Sequence, residues 1–548
     1  MTTSAIRAAS PESTLAGFLT LTRAERADAP PATTLLWQAV LLGISGDALL
    51  RQGPIGPALA VWVGVMGMAV LSLTWSARRT MPRQAAGWLG TALLFAILTA
   101  WRNSELLQVL DFLSVVGALG LAALALRDRG LALWASRLRD TIWGAAAVVL
   151  NVMRGVLPLA VRELFRAEHG TGWQRRTRAI VRASLIAGVL AIVFGSLLRS
   201  ADPVFAQLVR LPDLDFEIIA SHIFLTGFFA WTTGGWAYAA LVAHPSGWRA
   251  PERLPVTLGT LEVTTALATL NVLFGAFVLT QLGWFFGGER FLSATTGLTA
   301  AEYARQGFFQ MVWVVVLVVP LLLATRAAMS PDPALARRHT SLSLPVVALL
   351  GTIIVSAALR MRLYVHYYGL STDRLTTLVF MGWLFFVLAL LAATVLRGRG
   401  GAFVAGSVLS GLAVLAALHI VTPDLVVARV NIARAAETPH DARTALDVHY
   451  LTRLSAEAAE LATVATLAPP NSAIRSAESD AARCAATATL LTRWGPGSAA
   501  VKRATREGAW RTWNAGEVRA LHVVGANVGA LVRLRHEVCG RTRRGATR

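Results

Sequence analysis

The sequence predicts an all-α, polytopic helical membrane protein with about 11 transmembrane helices and a helical extramembrane C-terminal tail. Of its 548 residues, 55% are hydrophobic, and the stretch from 34 to 421 contains long apolar runs separated by short joints that carry arginine. A run of about 18 or more apolar residues crosses the hydrocarbon layer as a helix, because lipid offers no hydrogen-bond partner to an exposed backbone.

The apolar runs predict eleven spans and five parts of the chain. The spans are 34–50, 55–77, 84–101, 105–126, 178–199, 217–241, 259–286, 308–325, 343–360, 375–396 and 402–421. The parts are an N-terminal segment (1–33), a first group of four helices (34–126), an arginine-rich loop (127–177), a second group of seven helices (178–421) and a tail (422–548).

The distribution of arginine predicts the orientation. The segments on the same side of the membrane as the N-terminus carry 24 lysines and arginines, against 9 in the loops on the opposite side. The positive-inside rule therefore places the N-terminus and the loop 127–177 in the cytoplasm. An odd number of spans then places the tail outside. The net charge of +20 lies mostly at helix ends, where arginine meets anionic lipid, and this pattern argues against nucleic acid as a partner.

The segment 141–161 is the weak point of this topology. It is apolar enough for a twelfth span, which would reverse the side of everything that follows. Polar or helix-breaking residues recur on one side of it at three- to four-residue spacing, namely Asn151, Arg154, Pro158, Arg162 and Arg166. This spacing favours an amphipathic helix that lies on the cytoplasmic surface.

Thiol and cofactor chemistry is sparse. Cys484 and Cys539 are the two cysteines of the chain, too few for a four-thiol zinc site. Two unpaired thiols are the favoured interpretation, and a single tail disulfide is the alternative if the tail faces an oxidising compartment. The sequence has no phosphate-binding loop, dinucleotide motif or metalloprotease motif. No catalytic residue, metal or cofactor is therefore predicted.

The tail is predicted to be helical and to face water. Asn514 followed by Glu517 is typical of a helix N-terminus. Two apolar stripes run along the predicted helices, one from Leu446 to Leu461 and one from Leu521 to Val532. We expect these stripes to pack on one another. The membrane body and a partner protein are the alternatives.

Polar residues inside the spans are the first candidate functional residues, because an ionisable group in the bilayer usually faces the bundle interior. Glu262 is the strongest of them, with Asn271 and Gln281 farther along the same span. An ion- or proton-handling site and a structural hydrogen-bond network both fit this pattern. Four other ionisable residues stand alone in the sequence, namely Asp47, Asp111, His222 and His419.

Two short segments outside the spans supply the other candidates. The first is predicted to follow a helix that ends at Gly287 and Gly288, and it contains Glu302, Tyr303 and Arg305. The second, RMRLYVHYYGLSTDR at 360–374, contains Arg360, Tyr364, His366 and Tyr368. Tyrosine and arginine are typical of a lipid headgroup boundary. Anchoring to lipid, or recognition of an anionic lipid or glycan head, would use them, and His366 could act as an acid or base.

Several sequence blocks carry a family resemblance. They are LLRSADPVF, EVTTALATLNVLFGAFVLTQLGWFFGG, LTAAEYARQGFFQM, RMRLYVHYYGLSTDRL, VTPDLVVARVNIARA, LDVHYLTRLSAEA and GAWRTWNAGEVRA. From about residue 180 to 520 the chain resembles the bacterial membrane-protein family named domain of unknown function 4173. The resemblance implies a bacterial inner-membrane protein without an assigned reaction, and it adds Arg429, Asn431 and Arg434 to the motif positions.

Three functions fit these patterns. The first is a non-enzymatic envelope or signalling component with membrane lipids, especially anionic ones, and a protein bound to its tail as partners. The second is a secondary transporter or channel that uses Glu262. The third is a membrane enzyme that acts on a lipid-linked substrate near the segment 360–374. Glu302, Arg305, Arg360 and Arg434 are predicted to form one polar layer at the outer face.

Overall fold

A computed structural model describes most of the chain as helices. The described residues are 28–53, 56–127, 138–165, 172–201, 216–243, 257–296, 308–330, 332–437, 446–469 and 480–546. Within these ranges an isolated β-bridge joins Leu258 and Met329.

In the described ranges, thirteen helices precede the tail. The first eight are α1 (Ala32–Leu50), α2 (Pro57–Ser76), α3 (Arg83–Leu98), α4 (Glu105–Arg127), α5 (Leu138–Arg154), α6 (Leu157–Phe165), α7 (Gly172–Ala201) and α8 (Phe216–Leu241). The next five are α9 (Thr260–Thr296), α10 (Phe308–Ala328), α11 (Pro333–Tyr368), α12 (Thr372–Thr394) and α13 (Gly400–Val421). A short 3-10 turn, Val395–Arg397, extends α12.

Eight of these helices are long and apolar enough to cross a membrane, namely α1, α2, α4, α9, α10, α11, α12 and α13. The chain is therefore a multi-pass membrane protein. The apolar parts of α3, α5 and α7 are shorter. The predicted count of 11 crossings is not confirmed by length and composition.

The bundle packs around two apolar clusters. Helices α1 to α4 and α8 enclose the first, which includes Leu35, Phe95 and Leu241. Helices α9 to α12 and the start of α13 enclose the second, which includes Leu267 and Leu350. The end of α13 reaches the first cluster, so this helix joins the two halves.

Two ends of the bundle can be distinguished. At the first, which we call the basal end, the Arg79 guanidinium donates hydrogen bonds to the backbone oxygens of Leu241 and Leu126, at 3.3 and 3.0 Å. At the second, the capped end, the backbone N–H of Ala515 in the tail donates to Ala100 O at 2.9 Å. The tail is therefore packed against the end of the bundle opposite Arg79.

Helices α1 and α8 approach closely along small residues. A Cβ atom at Gly43 would lie 2.5 Å from the backbone oxygen of Thr226 and 2.8 Å from the Ala230 Cβ. Small residues at such crossings let two backbones meet, which is a common basis of helix association in membranes.

Gly43→Ala should therefore destabilise the bundle by about 1–3 kcal/mol, because a rigid backbone atom occupies the space that the new methyl group needs. Gly64→Ala is the matched control, since nothing lies within 4 Å of a Cβ at that position of α2. Thermal unfolding of the two purified variants in detergent measures the difference. Equal unfolding midpoints for both variants would show that the crossing is not close-packed.

The segment 141–161 is divided between α5 and α6. The helix breaks at Gly155, whose φ of +64° suits glycine, and the Trp231 ring of α8 lies directly against that glycine. Asn151, expected on a polar surface, is 2% exposed and donates to Ala147 O at 2.7 Å. The segment is therefore not one continuous amphipathic helix. It forms two helices, and the break between them packs against α8.

The predicted helix end at Gly287 and Gly288 is wrong. Helix α9 continues through both glycines to Thr296. Glycine costs a helix about 1 kcal/mol without breaking it when the flanking turns are otherwise favourable. At the end of the bundle, α13 ends at Val421 and α14 begins at Pro423.

The tail forms a helical C-terminal domain. Its helices are α14 (Pro423–Glu437), α15 (Val448–Arg453), α16 (Ala459–Leu467), α17 (Asp480–Trp494), α18 (Ala499–Thr505), α19 (Ala515–Ala526) and α20 (Val528–Ala546), with 3-10 turns at Ala456–Ala458 and Ala509–Thr512. Leu451, Leu454, Val524 and Leu531 share one buried cluster, so the two apolar stripes pack on one another.

Two local predictions for this domain have opposite outcomes. The Asn514 side chain accepts hydrogen bonds from the backbone N–H groups of Gly516 and Glu517, which confirms the predicted cap. The interpretation of two unpaired thiols is wrong, because Cys484 of α17 and Cys539 of α20 form a disulfide with a Cα–Cα distance of 5.2 Å. The pairing depends on the antiparallel packing of two helices, which cysteine spacing alone does not reveal.

Candidate functional site between the bundle and the C-terminal domain

A buried carboxylate, Asp424, fastens the C-terminal domain to the bundle. It lies in the first turn of α14 and is 5% exposed. One of its oxygens accepts from the Thr372 hydroxyl at 2.7 Å, and the other accepts from the Ser455 backbone N–H at 3.2 Å. The Tyr450 hydroxyl accepts from the Thr372 N–H at 3.2 Å. The start of α12 is thus tied to two segments of the domain.

A second set of contacts joins the domain to the turn between α3 and α4. The Asn514 amide donates to Arg102 O at 2.8 Å, and the Asn103 N–H donates to the Glu457 carboxylate at 2.7 Å. The Arg102 guanidinium in turn donates to His419 O at 3.0 and 2.6 Å. Burial lowers the pKa of Arg102, and the nearby Glu457 carboxylate opposes this shift.

A polar cavity of about 890 Å³ lies between these two sets of contacts. The bundle contributes the wall around Asn103, Glu105 and Asp373, and the C-terminal domain contributes the wall around Arg453 and Arg493. Ligand sites in proteins typically have volumes of about 300–1,000 Å³, so the cavity has the size of a small-molecule site.

Several contacts hold the Arg493 side chain at this cavity. Its guanidinium donates to the backbone oxygens of Thr452 and Leu454, at 2.8 and 2.7 Å, and lies 5.0 Å from the centre of the Trp494 ring. Burial lowers its pKa, and Arg453 adds to this effect, whereas Glu105 and Asp424 oppose it. The arginine is therefore held as a partly buried cation that faces charges of both signs.

An apolar cavity of about 760 Å³ lies in the bundle beside the polar one. It is lined by α4, α10, α12 and α13, with Leu110, Trp313, Phe380 and Leu415 among its lining residues, and it is open on one side. Leu106, at the start of α4, lines both cavities. The two cavities are therefore adjacent at the start of α4.

A smaller pocket of about 260 Å³ gathers part of the tyrosine and arginine motif. Its lining includes Tyr368, Arg374, Asn431 and Arg434. The Asn431 amide donates to Leu370 O at 2.7 Å and accepts from the Leu370 N–H at 2.8 Å, which fixes the turn between α11 and α12. Ser371 and Tyr450 line this pocket and the polar cavity alike.

The arginines of this pocket rest on tyrosine and on backbone oxygens. The Arg374 guanidinium lies 4.3 Å from the centre of the Tyr364 ring, and the Tyr364 and Tyr368 rings are 4.8 Å apart. Arg434 donates to His366 O at 3.2 Å. Burial lowers the pKa of Arg434, and the neighbouring Arg374 lowers it further.

The structure thus assembles part of the predicted site. Tyr364, Tyr368, Asn431 and Arg434 lie together, and the His366 backbone joins them although its side chain is exposed. Arg360 is 4% exposed and lies about two turns before the end of α11. Arg429 is exposed on α14 and lines none of the three cavities. Glu302, Tyr303 and Arg305 lie outside the described residues, as does the side chain of Gln281.

The predicted inward position of Glu262 is wrong. Glu262 is exposed in the first turn of α9, and Val263 and Leu267 turn to the core instead. An acid in the first turn is favoured by the helix dipole without any bundle contact. Asn271 acts as a structural link, because its amide donates to Leu342 O of α11 at 2.9 Å.

Four ionisable residues that stand alone in the sequence form two pairs in the structure. The His419 Nε2 atom lies 3.1 Å from an Asp111 carboxylate oxygen, with both side chains 1% exposed. The His222 Nδ1 atom contacts an Asp47 carboxylate oxygen at the capped end, where the histidine side chain is 51% exposed and Arg51 pairs with the other oxygen of Asp47. Among the described residues no group of three or more His, Cys, Asp or Glu side chains could hold a metal ion.

A family model described as Domain of unknown function (DUF4153) matches residues 89–463. This chain belongs to the DUF4153 family. The resemblance to domain of unknown function 4173 is therefore wrong. The DUF4153 match begins within α3, in a region recognised from sequence only as membrane spans, and ends before the tryptophan-rich segment 508–520. It covers Asp424 and the tyrosine and arginine pocket of this DUF4153 protein. No curated protein and no solved structure matches the chain.

Proposed function

We propose that this DUF4153 protein is a non-enzymatic envelope component that binds a phospholipid where its bundle meets its C-terminal domain. The headgroup occupies the polar cavity with its phosphate against Arg453 and Arg493, and an acyl chain occupies the apolar cavity. Arginine is well suited to phosphate, because its guanidinium presents several donors in a fixed plane.

The position of Leu106 between the two cavities carries this proposal. A polar cavity of about 890 Å³ and an apolar one of about 760 Å³ are adjacent, and each has the lining that one half of an amphipathic molecule requires. Thr372 and Asp373 line the polar cavity, and Thr376 and Thr377 line the apolar one a turn later on α12. One helix therefore passes from one cavity to the other.

The proposed location is a bacterial inner membrane, with eleven crossings, the basal end and N-terminus in the cytoplasm and the C-terminal domain outside. The excess of arginine on the N-terminal side supports this orientation. The Cys484–Cys539 disulfide supports it independently, because disulfides persist in oxidising compartments and are rare in the cytosol. The headgroup would then come from the outer leaflet.

Arg453→Gln should weaken phospholipid binding by about tenfold, because a hydrogen bond to a charged phosphate contributes about 1.5–3 kcal/mol. Arg429→Gln is the matched control, since both arginines are exposed and belong to the same domain but Arg429 does not line the cavity. Binding of a short-chain phospholipid to the purified full-length protein, followed by native mass spectrometry, measures the change.

The same measurement tests the apolar cavity. Gly411 lines it, and a Cβ there would lie 3.6 Å from the Trp383 ring, an ordinary contact. Gly411→Ala should therefore leave lipid binding unchanged, whereas Gly411→Leu should reduce it by filling space that the acyl chain uses. Equal binding by wild type, Arg453→Gln and Gly411→Leu would overturn the proposed function.

A further inference from the structure

The charges of the polar cavity are divided between its walls. Glu105 and Asp373 belong to the bundle wall, in the first turns of α4 and α12, and both are exposed. Arg453, Arg493 and Arg503 belong to the wall that the C-terminal domain contributes. The cavity therefore offers carboxylates on one side and guanidinium groups on the other.

The remaining acid of the lining does not disturb this division. Asp424 is buried, and both of its carboxylate oxygens accept hydrogen bonds from Thr372 and Ser455. It fastens the two walls together. Arg503 is partly neutralised, because Glu517 of its own domain lies 2.9 Å away. Arg453 and Arg493 are thus the main cations facing the cavity, and Glu105 and Asp373 are the exposed anions.

The two walls also interact electrostatically across the cavity. Burial lowers the pKa of Arg493, Glu105 on the opposite wall opposes this shift, and the neighbouring Arg453 adds to it. An anion placed between Arg453 and Arg493 would relieve the repulsion between these guanidinium groups. A cation placed beside Glu105 and Asp373 would balance the negative charge of these two carboxylates.

We infer that the bound headgroup is zwitterionic and carries a primary ammonium together with its phosphate, an inference that rests on the proposed function. The phosphate lies on the wall of Arg453 and Arg493. The ammonium lies on the wall of Glu105 and Asp373.

The lining distinguishes a primary ammonium from a quaternary one. A primary ammonium donates three hydrogen bonds, which carboxylate and hydroxyl oxygens accept. A quaternary ammonium has no donor and is recognised by cages of aromatic rings. Among the described lining residues the aromatic rings are Tyr450 and Trp494, and Trp494 is buried with Arg493 over its face. The bundle wall provides oxygen acceptors instead, from Ser104, Glu105 and Asp373.

Binding of four short-chain phospholipids to the full-length protein tests this inference. Their headgroups are phosphoethanolamine, phosphocholine, phosphoglycerol and a bare phosphate. Wild type should bind the phosphoethanolamine lipid about tenfold more tightly than the phosphocholine lipid, as expected for hydrogen bonds to charged groups. The Glu105→Gln/Asp373→Asn double variant should bind these two lipids equally and retain its affinity for the phosphoglycerol lipid.

Glu460→Gln is the matched control, since Glu460 is an exposed acid in the first turn of α16 that does not line the cavity. It should keep the wild-type preference. Folding of each variant is checked by its elution volume and by retention of the disulfide. A folded double variant that still prefers phosphoethanolamine, or a wild type that binds all four lipids equally, would overturn the headgroup inference alone. Binding of none of the four lipids would overturn the proposed function.

Discussion

Asp111→Leu should lower the free energy of unfolding by about 3–5 kcal/mol, because removal of one member of a buried ion pair leaves the other without compensation. Asp111 of α4 and His419 of α13 are both 1% exposed, and α13 is the helix that joins the two halves of the bundle. Loss of this contact should therefore loosen the bundle as a whole. Denaturant titration in mixed micelles measures the change.

The hydrogen bonds of His419 explain why this side chain needs Asp111 as a partner. Its Nδ1 atom lies 3.0 Å from Leu415 O, and a carbonyl only accepts, so Nδ1 carries a hydrogen. In the neutral ring Nε2 must then accept a hydrogen bond from a protonated Asp111. In the charged ring Nε2 donates to the Asp111 carboxylate. One proton therefore lies between the two side chains in either case, and Asp111→Leu removes a partner that His419 needs in both states.

Two controls separate the pair from its surroundings. The Asp111→Leu/His419→Leu double variant should recover most of the stability, because neither member is left buried alone. His222→Gln should cost about 1 kcal/mol or less, since the His222–Asp47 contact has similar chemistry but an exposed histidine. A loss as small for Asp111→Leu as for His222→Gln would show that burial does not govern the Asp111–His419 contact.

These pairs show which parts of the site the sequence could predict. Apolar runs and caps depend on neighbouring residues, so the helices at the eleven predicted positions and the Asn514 cap followed from the sequence. Asp111 and His419 are 308 positions apart, and His222 and Asp47 are 175 apart. In neither pair does the sequence around one residue indicate which residue is its partner. Contacts of this kind depend on which helices pack together, and periodicity leaves that open.

The cavities could not be predicted from the sequence for the same reason. The polar cavity combines the start of α4, the start of α12 and four segments of the C-terminal domain. Tyr364 and Tyr368 could be predicted to lie near a headgroup boundary, because tyrosine and arginine are typical of one, but their packing beside Asn431 and Arg434 could not. Arg493 could not, because a single arginine inside a helical tail resembles a solvated surface residue until Trp494 and the carbonyls of α15 surround it.

In the Cys484→Ala/Cys539→Ala variant the C-terminal domain should be less stable by about 2–4 kcal/mol, because the disulfide restricts the conformations of the unfolded chain. The bond links α17 to α20 across a sequence separation of 55. Thermal unfolding of the full-length protein, with and without a reductant, measures the loss. Wild type treated with reductant should unfold at the temperature of the untreated double variant, and the reductant should leave the double variant unchanged.

Thiol labelling of intact cells decides whether this stabilisation operates outside the cytoplasm. Wild type should react with a membrane-impermeant maleimide only after an impermeant reductant is added, because both thiols are then released on the outer side. Cys484→Ala leaves Cys539 free and should be labelled without reductant. Labelling of wild type without reductant, and only after the cells are opened, would place two free thiols in the cytoplasm. It would overturn the disulfide and the outward orientation of the lipid site together.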